Sequence, residues 1–112
     1  MKLWIDDVRP APEGYVWYVS VNEAIRGIIS CDKRKELADR YNQPHNFDVE
    51  NVELIDIDHD AGEYAQCGGD YIKLLDWLEE TGRNYPIHIH SMNPVGIENM
   101  RRIIQRNGWV EV

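Results

Sequence analysis

Val52-Glu53-Leu54-Ile55-Asp56-Ile57-Asp58-His59-Asp60 is the stretch that decides the fold. Its first six residues are rich in β-branched and aliphatic side chains on both strand parities, the pattern of a central strand covered on both faces. The run then closes on three polar, metal- and proton-competent groups. Asp56 and Asp58 share a parity, but Asp56 lies deeper in the strand. A buried carboxylate costs free energy unless it is partnered, so Asp56 reads as a group supporting the site from behind or as one on a locally exposed face.

Two further apolar runs end the same way. Leu3-Trp4-Ile5 runs into Asp6-Asp7, and Ile87 to Ile89, interleaved with His88 and His90, runs into Ser91. The spacing predicts strands over Lys2–Ile5, Val16–Val19, Val52–Ile57, Pro86–His90 and Trp109–Val112. Between them, the Ser20 and Glu23 capping box starts a helix through Ile29, and Lys33 to Tyr41 reads as a short second helix. Gly62 through Gly69 is a loop, Asp70 a cap for a helix through Ile72, Leu75 and Leu78, and Thr81-Gly82 its end. Asn93-Pro94 gives an N-cap and an N1 proline to a last helix through Ile104, closed by Asn107-Gly108.

Strands alternating with helices predict an α/β fold. The expectation is a flavodoxin-like, three-layer arrangement with a five-stranded parallel sheet of order 2-1-3-4-5. The first connection, Arg9 to Gly14 with Pro10, Pro12 and Gly14, is too short for a helix. With the fifth strand at the end of the sequence, no final helix is expected either. One face is then less well covered, and either a homodimer or the polar insertion at 32–51 would cover it.

The 112 residues fit one domain, 1–112, with 43% hydrophobic and 29% charged residues. No stretch approaches the roughly 20 apolar residues of a membrane span. Asp6 and Asp7 interrupt any signal-peptide core, which makes a cytoplasmic address the expectation. Cys31 and Cys67 lack metal-ligand spacing and read as reduced thiols. A net charge of −8 disfavours binding to long or duplex nucleic acid. A small phosphorylated ligand remains compatible, because a bound cation reverses the local field.

In a parallel sheet the loops after the strands share one edge, so the three polar endings converge there. Asp6, Asp7 and Asp58 are the expected metal carboxylates, with Asp60 either a fourth ligand or a turn residue. Such a set suits Mg²⁺ or Mn²⁺, whose shells are completed by water and phosphate oxygens. His59, His88 and His90 are candidates for proton transfer or ligation. His45, alone in the polar segment, reads as surface. Arg9, Ser91 and Asn93 are the expected phosphate contacts, Asn93 through the helix N-terminus that follows it.

Asp6-Asp7, Asp58 and Ser91 after successive strands resemble the acidic pocket and hydroxyl of receiver domains. LWIDDVRPAPEGYVW, IDIDHDAG and IHIHSMNPVGIENM are closer still to a divergent branch, the cyclic-phosphate-processing receiver-like family. The resemblance covers most of the chain apart from 32–51 and the last few residues. For ordinary receivers it implies phosphorylation on the residue matching Asp58, Mg²⁺ on the matches to Asp6 and Asp7, and a lysine ending the fifth strand. Trp109-Val110-Glu111-Val112 has no lysine, which argues against a phosphorylated switch. The resemblance therefore implies a metal-dependent phosphoesterase or binder for cyclic phosphate or cyclic-nucleotide-like ligands, including the cyclic phosphate of an RNA end. Asp58, His59, His88 and His90 would be its catalytic groups. The alternatives are a signalling module phosphorylated on Asp58 and a protein that sequesters nucleotides without catalysis.

Overall fold

Each strand is short, and across the sheet alternate side chains divide between a buried apolar face and one of mixed polar and aromatic residues. The computed structural model describes residues 1–40 and 51–112. In chain order these form β1 (Lys2–Ile5), β2 (Tyr15–Tyr18), α1 (Val21–Arg40), β3 (Leu54–Ile57), a 3₁₀ turn (Gly62–Gln66), α2 (Ile72–Glu80), β4 (Ile87–Ile89) and α3 (Pro94–Asn107). The strands pair in parallel in the order β2-β1-β3-β4. Segment 6–14 returns the chain to the start of β2 without a helix. At full extension it reaches about 30 Å, well beyond the roughly 13 Å length of a four-residue strand.

The α/β class, the parallel pairing and the order of the first four strands follow the sequence. The fifth strand does not form as such. Glu111 makes only a parallel bridge to Ile87, through Ile87 N–H to Val110 O (2.9 Å) and Val112 N–H to Ile87 O (2.8 Å). Trp109, which was expected to open that strand, is buried in the core just after the Gly108 helix cap.

Connection handedness explains where the layers lie. β2 to β3, β3 to β4 and β4 to Glu111 all step the same way across the sheet, so right-handed crossovers place α1, α2 and α3 on one face. The core is accordingly made of Leu3, Ile5, Ile55, Ile57 and Ile87 against helix residues such as Ala24, Ile28, Leu75, Leu78 and Met100. A helix between β1 and β2 would step the other way and cover the opposite face, but segment 6–14 carries none. Among the described residues the expected three layers are therefore two. No described helix covers the face bearing Lys2, Trp4, Trp17, Asp56 and His88.

α1 is one continuous helix rather than two. Cys31 and Ala38 extend the buried stripe of Val21, Ala24 and Ile28, and neither glycine nor proline interrupts it after Gly27. Tyr41 and His45 lie outside the described residues. The Ser20 cap forms, with Ser20 Oγ accepting from Glu23 N–H (3.1 Å), while the Glu23 carboxylate accepts from Val19 N–H (3.0 Å). Asp70 is not the cap of α2. Its carboxylate accepts instead from Ala61 N–H (3.0 Å), tying the 3₁₀ turn to the helix start. Asn93 does cap α3, accepting from Gly96 N–H (3.1 Å) ahead of Pro94. Both cysteines are free, and no described helix is long and apolar enough to cross a membrane.

Candidate functional site

β1 and β3 are neighbours in register, Ile5 opposite Ile57, so the residues that follow them meet at the carboxyl edge. Asp6, Asp7 and Asp58 bring carboxylate oxygens within 4.8 Å of one another. Asp6 is fully buried. Its Oδ1 accepts from Val8 and Arg9 N–H (2.9 Å each), and its Oδ2 lies 2.9 Å from His90 Nε2. Burial pushes its pKa up, but the backbone donors of Arg9 and Val8, with His90, outweigh that and hold the carboxyl below its ordinary range. Asp7 is shifted upward, by burial and by repulsion from Asp6 and Asp58. An all-oxygen donor set whose members repel one another fits a hard divalent cation.

Gly62 lets the next loop close over this cluster. It has φ +54°, and a Cβ there would fall 2.5 Å from Asp7 Oδ2. Tyr71 is fully buried and donates its hydroxyl to Val19 O (2.6 Å). Burial and the three carboxylates push its pKa up, so it stays a neutral donor.

His90 follows β4 and is held on three sides. Its Nδ1 lies 2.6 Å from Asp56 Oδ1, its Nε2 faces Asp6, and its ring stacks on Trp4 at 3.9 Å. Ionised carboxylates only accept, so this setting, with a carboxylate at each ring nitrogen, favours the imidazolium form. Burial opposes this charge, but the bonds to Asp56 and Asp6 raise the pKa overall. With both nitrogens engaged, His90 fixes a positive charge and orients Asp6. Asp56, 7% exposed within β3, has its partner in this ring.

His59 is placed differently. Its backbone N–H donates to Asp58 Oδ1 (2.7 Å), and its Nδ1 lies 2.8 Å from Asp60 Oδ1. Donation from Nδ1 to Asp60 leaves the lone pair on Nε2, the tautomer of a general base. The ring packs on the start of α3, where a Cβ on Gly96 would come within 2.4 Å of it. Asn93 Nδ2 reaches Asp60 Oδ1 at 3.4 Å, joining loop and helix. Asp60 is mostly exposed and is not one of the converging carboxylates.

The remaining expected residues divide. Arg9 spans the site edge, donating from its guanidinium to His90 O (3.1 Å). Ser91 Oγ accepts from Asn93 N–H (3.0 Å), and its hydroxyl proton stays available to a ligand. His88 stands opposite Asp56 in register but turns away, with Nδ1 2.7 Å from Val112 O, and does not join the pocket. Sequence reasoning did not single out Gly62, Gly96, Trp4 or Trp17 as site residues. Trp17 donates from Nε1 to Asp6 O (2.8 Å) and Trp4 from Nε1 to Arg9 O (2.8 Å). The available signal was the aromatic alternation of Tyr15 and Trp17 beside Trp4.

A family model described as the cyclic-phosphate processing receiver domain matches residues 1–106. Comparison with curated proteins and with solved structures returns no match.

Proposed function

From the chain's membership of the cyclic-phosphate processing receiver family, we propose that this pocket binds a divalent cation and a cyclic phosphate ester and opens the ester by hydrolysis. The observation that carries the reading is the convergence of Asp6, Asp7 and Asp58 within 4.8 Å. Asp6, Asp7 and Asp58 would hold Mg²⁺ or Mn²⁺. When bound, the cation would supply charge neutralisation for a phosphate that these carboxylates would otherwise repel.

The chain's own groups have separable tasks. His90, fixed between Asp56 and Asp6, keeps the Asp6 carboxylate aimed and cancels part of its charge. Arg9 and the Ser91 hydroxyl stand at the rim as phosphate donors, beside the N-terminus of α3. His59, with Nδ1 on Asp60, takes a proton from the attacking water at Nε2 and returns it to the ester oxygen that leaves. The P–O bond to water forms as the ring P–O bond breaks, giving a phosphomonoester. His88 has no task in this scheme.

The test is incubation with 2′,3′-cyclic nucleotides and Mg²⁺ or Mn²⁺, with products separated by chromatography. The wild-type protein forms monoester, Asp58→Ala does not, and His59→Ala is slowed by about 10²-fold or more. No turnover together with no binding would overturn the reading. Binding with unchanged ligand recovered would reduce it to sequestration.

A further inference from the structure

The sheet face over which no described helix lies ends at the carboxylate cluster, and two of its indoles hydrogen-bond the chain there, Trp17 to Asp6 O and Trp4 to Arg9 O. Trp17 pairs with Trp4 across β2 and β1, and its indole leans forward to hydrogen-bond Asp6 O at 2.8 Å. It remains 42% exposed, on an edge strand with no described helix above it. Trp4 lies beside it, half-buried, stacked on His90 and edge-on to Tyr15 (6.0 Å). A large apolar ring left in water costs free energy, and this one is anchored rather than free to turn inward.

We infer that Trp17 is the platform on which the heterocyclic base of a cyclic mononucleotide stacks while its phosphate sits over Asp6, Asp7 and Asp58. The inference rests on the proposed cyclic-phosphate reading and names its substrate class: a nucleoside cyclic phosphate rather than a base-free ester. The placement argues for it. The indole Nε1 is bonded to the main-chain carbonyl of Asp6, the residue whose carboxylate belongs to the cluster, so the ring stands next to the phosphate position. Stacking accepts any base, because every base has a π-face. The net charge of −8 favours a single nucleotide over a long strand, whose further phosphates would find few cations.

The test compares 2′,3′-cyclic AMP with glycerol 1,2-cyclic phosphate on the full chain with Mn²⁺. Affinity is read by calorimetry, or as KM where the ligand is turned over. The ratio of the two affinities is the readout, since it cancels any general change in the phosphate pocket. The wild-type protein prefers the nucleotide on the order of tenfold or more. Trp17→Ala brings the ratio close to one, and Trp17→Phe, which keeps a ring but loses the hydrogen bond to Asp6 O, retains most of it. Equal affinity in the wild-type protein, or a preference that survives Trp17→Ala, overturns the platform and leaves the proposed function standing. Nucleotide binding that depends on Trp17 but survives Asp58→Ala supports the platform and overturns the phosphate reading. Failure of both ligands to bind overturns both.

Discussion

Gly62→Ala separates the geometry of the carboxylate cluster from the stability of the fold. The substitution has two costs. Holding an alanine at φ +54° strains the backbone by about 1 kcal/mol. The new Cβ would also stand 2.5 Å from Asp7 Oδ2, so the carboxylate has to move. Gly82→Ala is the internal control, with φ +70° and nothing within 4 Å of its Cβ. Urea titration should show both variants losing about 1 kcal/mol, Gly62→Ala somewhat more. Mn²⁺ affinity, followed by electron paramagnetic resonance of the free ion, should be unchanged in Gly82→Ala. In Gly62→Ala it should fall by about 10- to 100-fold, the range seen when a metal ligand loses its orientation. A Gly62→Ala protein that binds Mn²⁺ as tightly as Gly82→Ala would refute the assignment of Asp7 to the cation site.

Three further outcomes follow from the same contacts. The folded-state pKa of His90 is raised above 6.5. Its stabilising contribution is thus complete below pH 6.5 and lost as pH rises through the folded value. Asp56→Asn should flatten that decline between neutral and alkaline pH, measured by urea unfolding across a pH series, and superimposable curves would count against the His90–Asp56 pair. Asp7 shows the opposite case: its raised pKa means that its ionisation works against the fold as pH rises above 3.8. Asp7→Asn should therefore raise the melting temperature of metal-free protein at pH 7 while removing the rise that Mg²⁺ produces in the wild type. A lower metal-free melting temperature would contradict this. Asn93→Ala should cost about 1 kcal/mol by removing the α3 cap, whereas Asn93→Asp, which can accept the same bond, should cost far less.

The parts of this fold set by local pattern were legible in the sequence. Ser20 with Glu23 and Asn93 with Pro94 declare their helix starts, and the apolar runs declare four strands. What was not legible depends on competition between distant groups. Asp70 has the composition of a cap, but Ala61 N–H claims its carboxylate. The final residues have strand propensity, but Trp109 is drawn into the core and only a bridge to Ile87 forms. The site divides along the same line. That Asp6, Asp7 and Asp58 share an edge follows from parallel topology alone. Telling the histidines apart required partners: His88 and His90 share a strand face, yet one meets Val112 O and the other is clamped between Asp56 and Asp6. Gly96 likewise gives no sign in sequence that its missing side chain makes room for the His59 ring.

The most direct test of the account is the ³¹P relaxation of 2′,3′-cyclic AMP in the presence of Mn²⁺ and substoichiometric protein. Paramagnetic relaxation reports a phosphorus atom held beside a protein-bound ion, whether or not the ester is then opened. The wild-type protein should enhance the relaxation well above that of Mn²⁺ with nucleotide alone, and Asp58→Ala should abolish the enhancement. Equal relaxation with wild-type and Asp58→Ala protein would contradict a cation and a cyclic phosphate meeting at Asp6, Asp7 and Asp58.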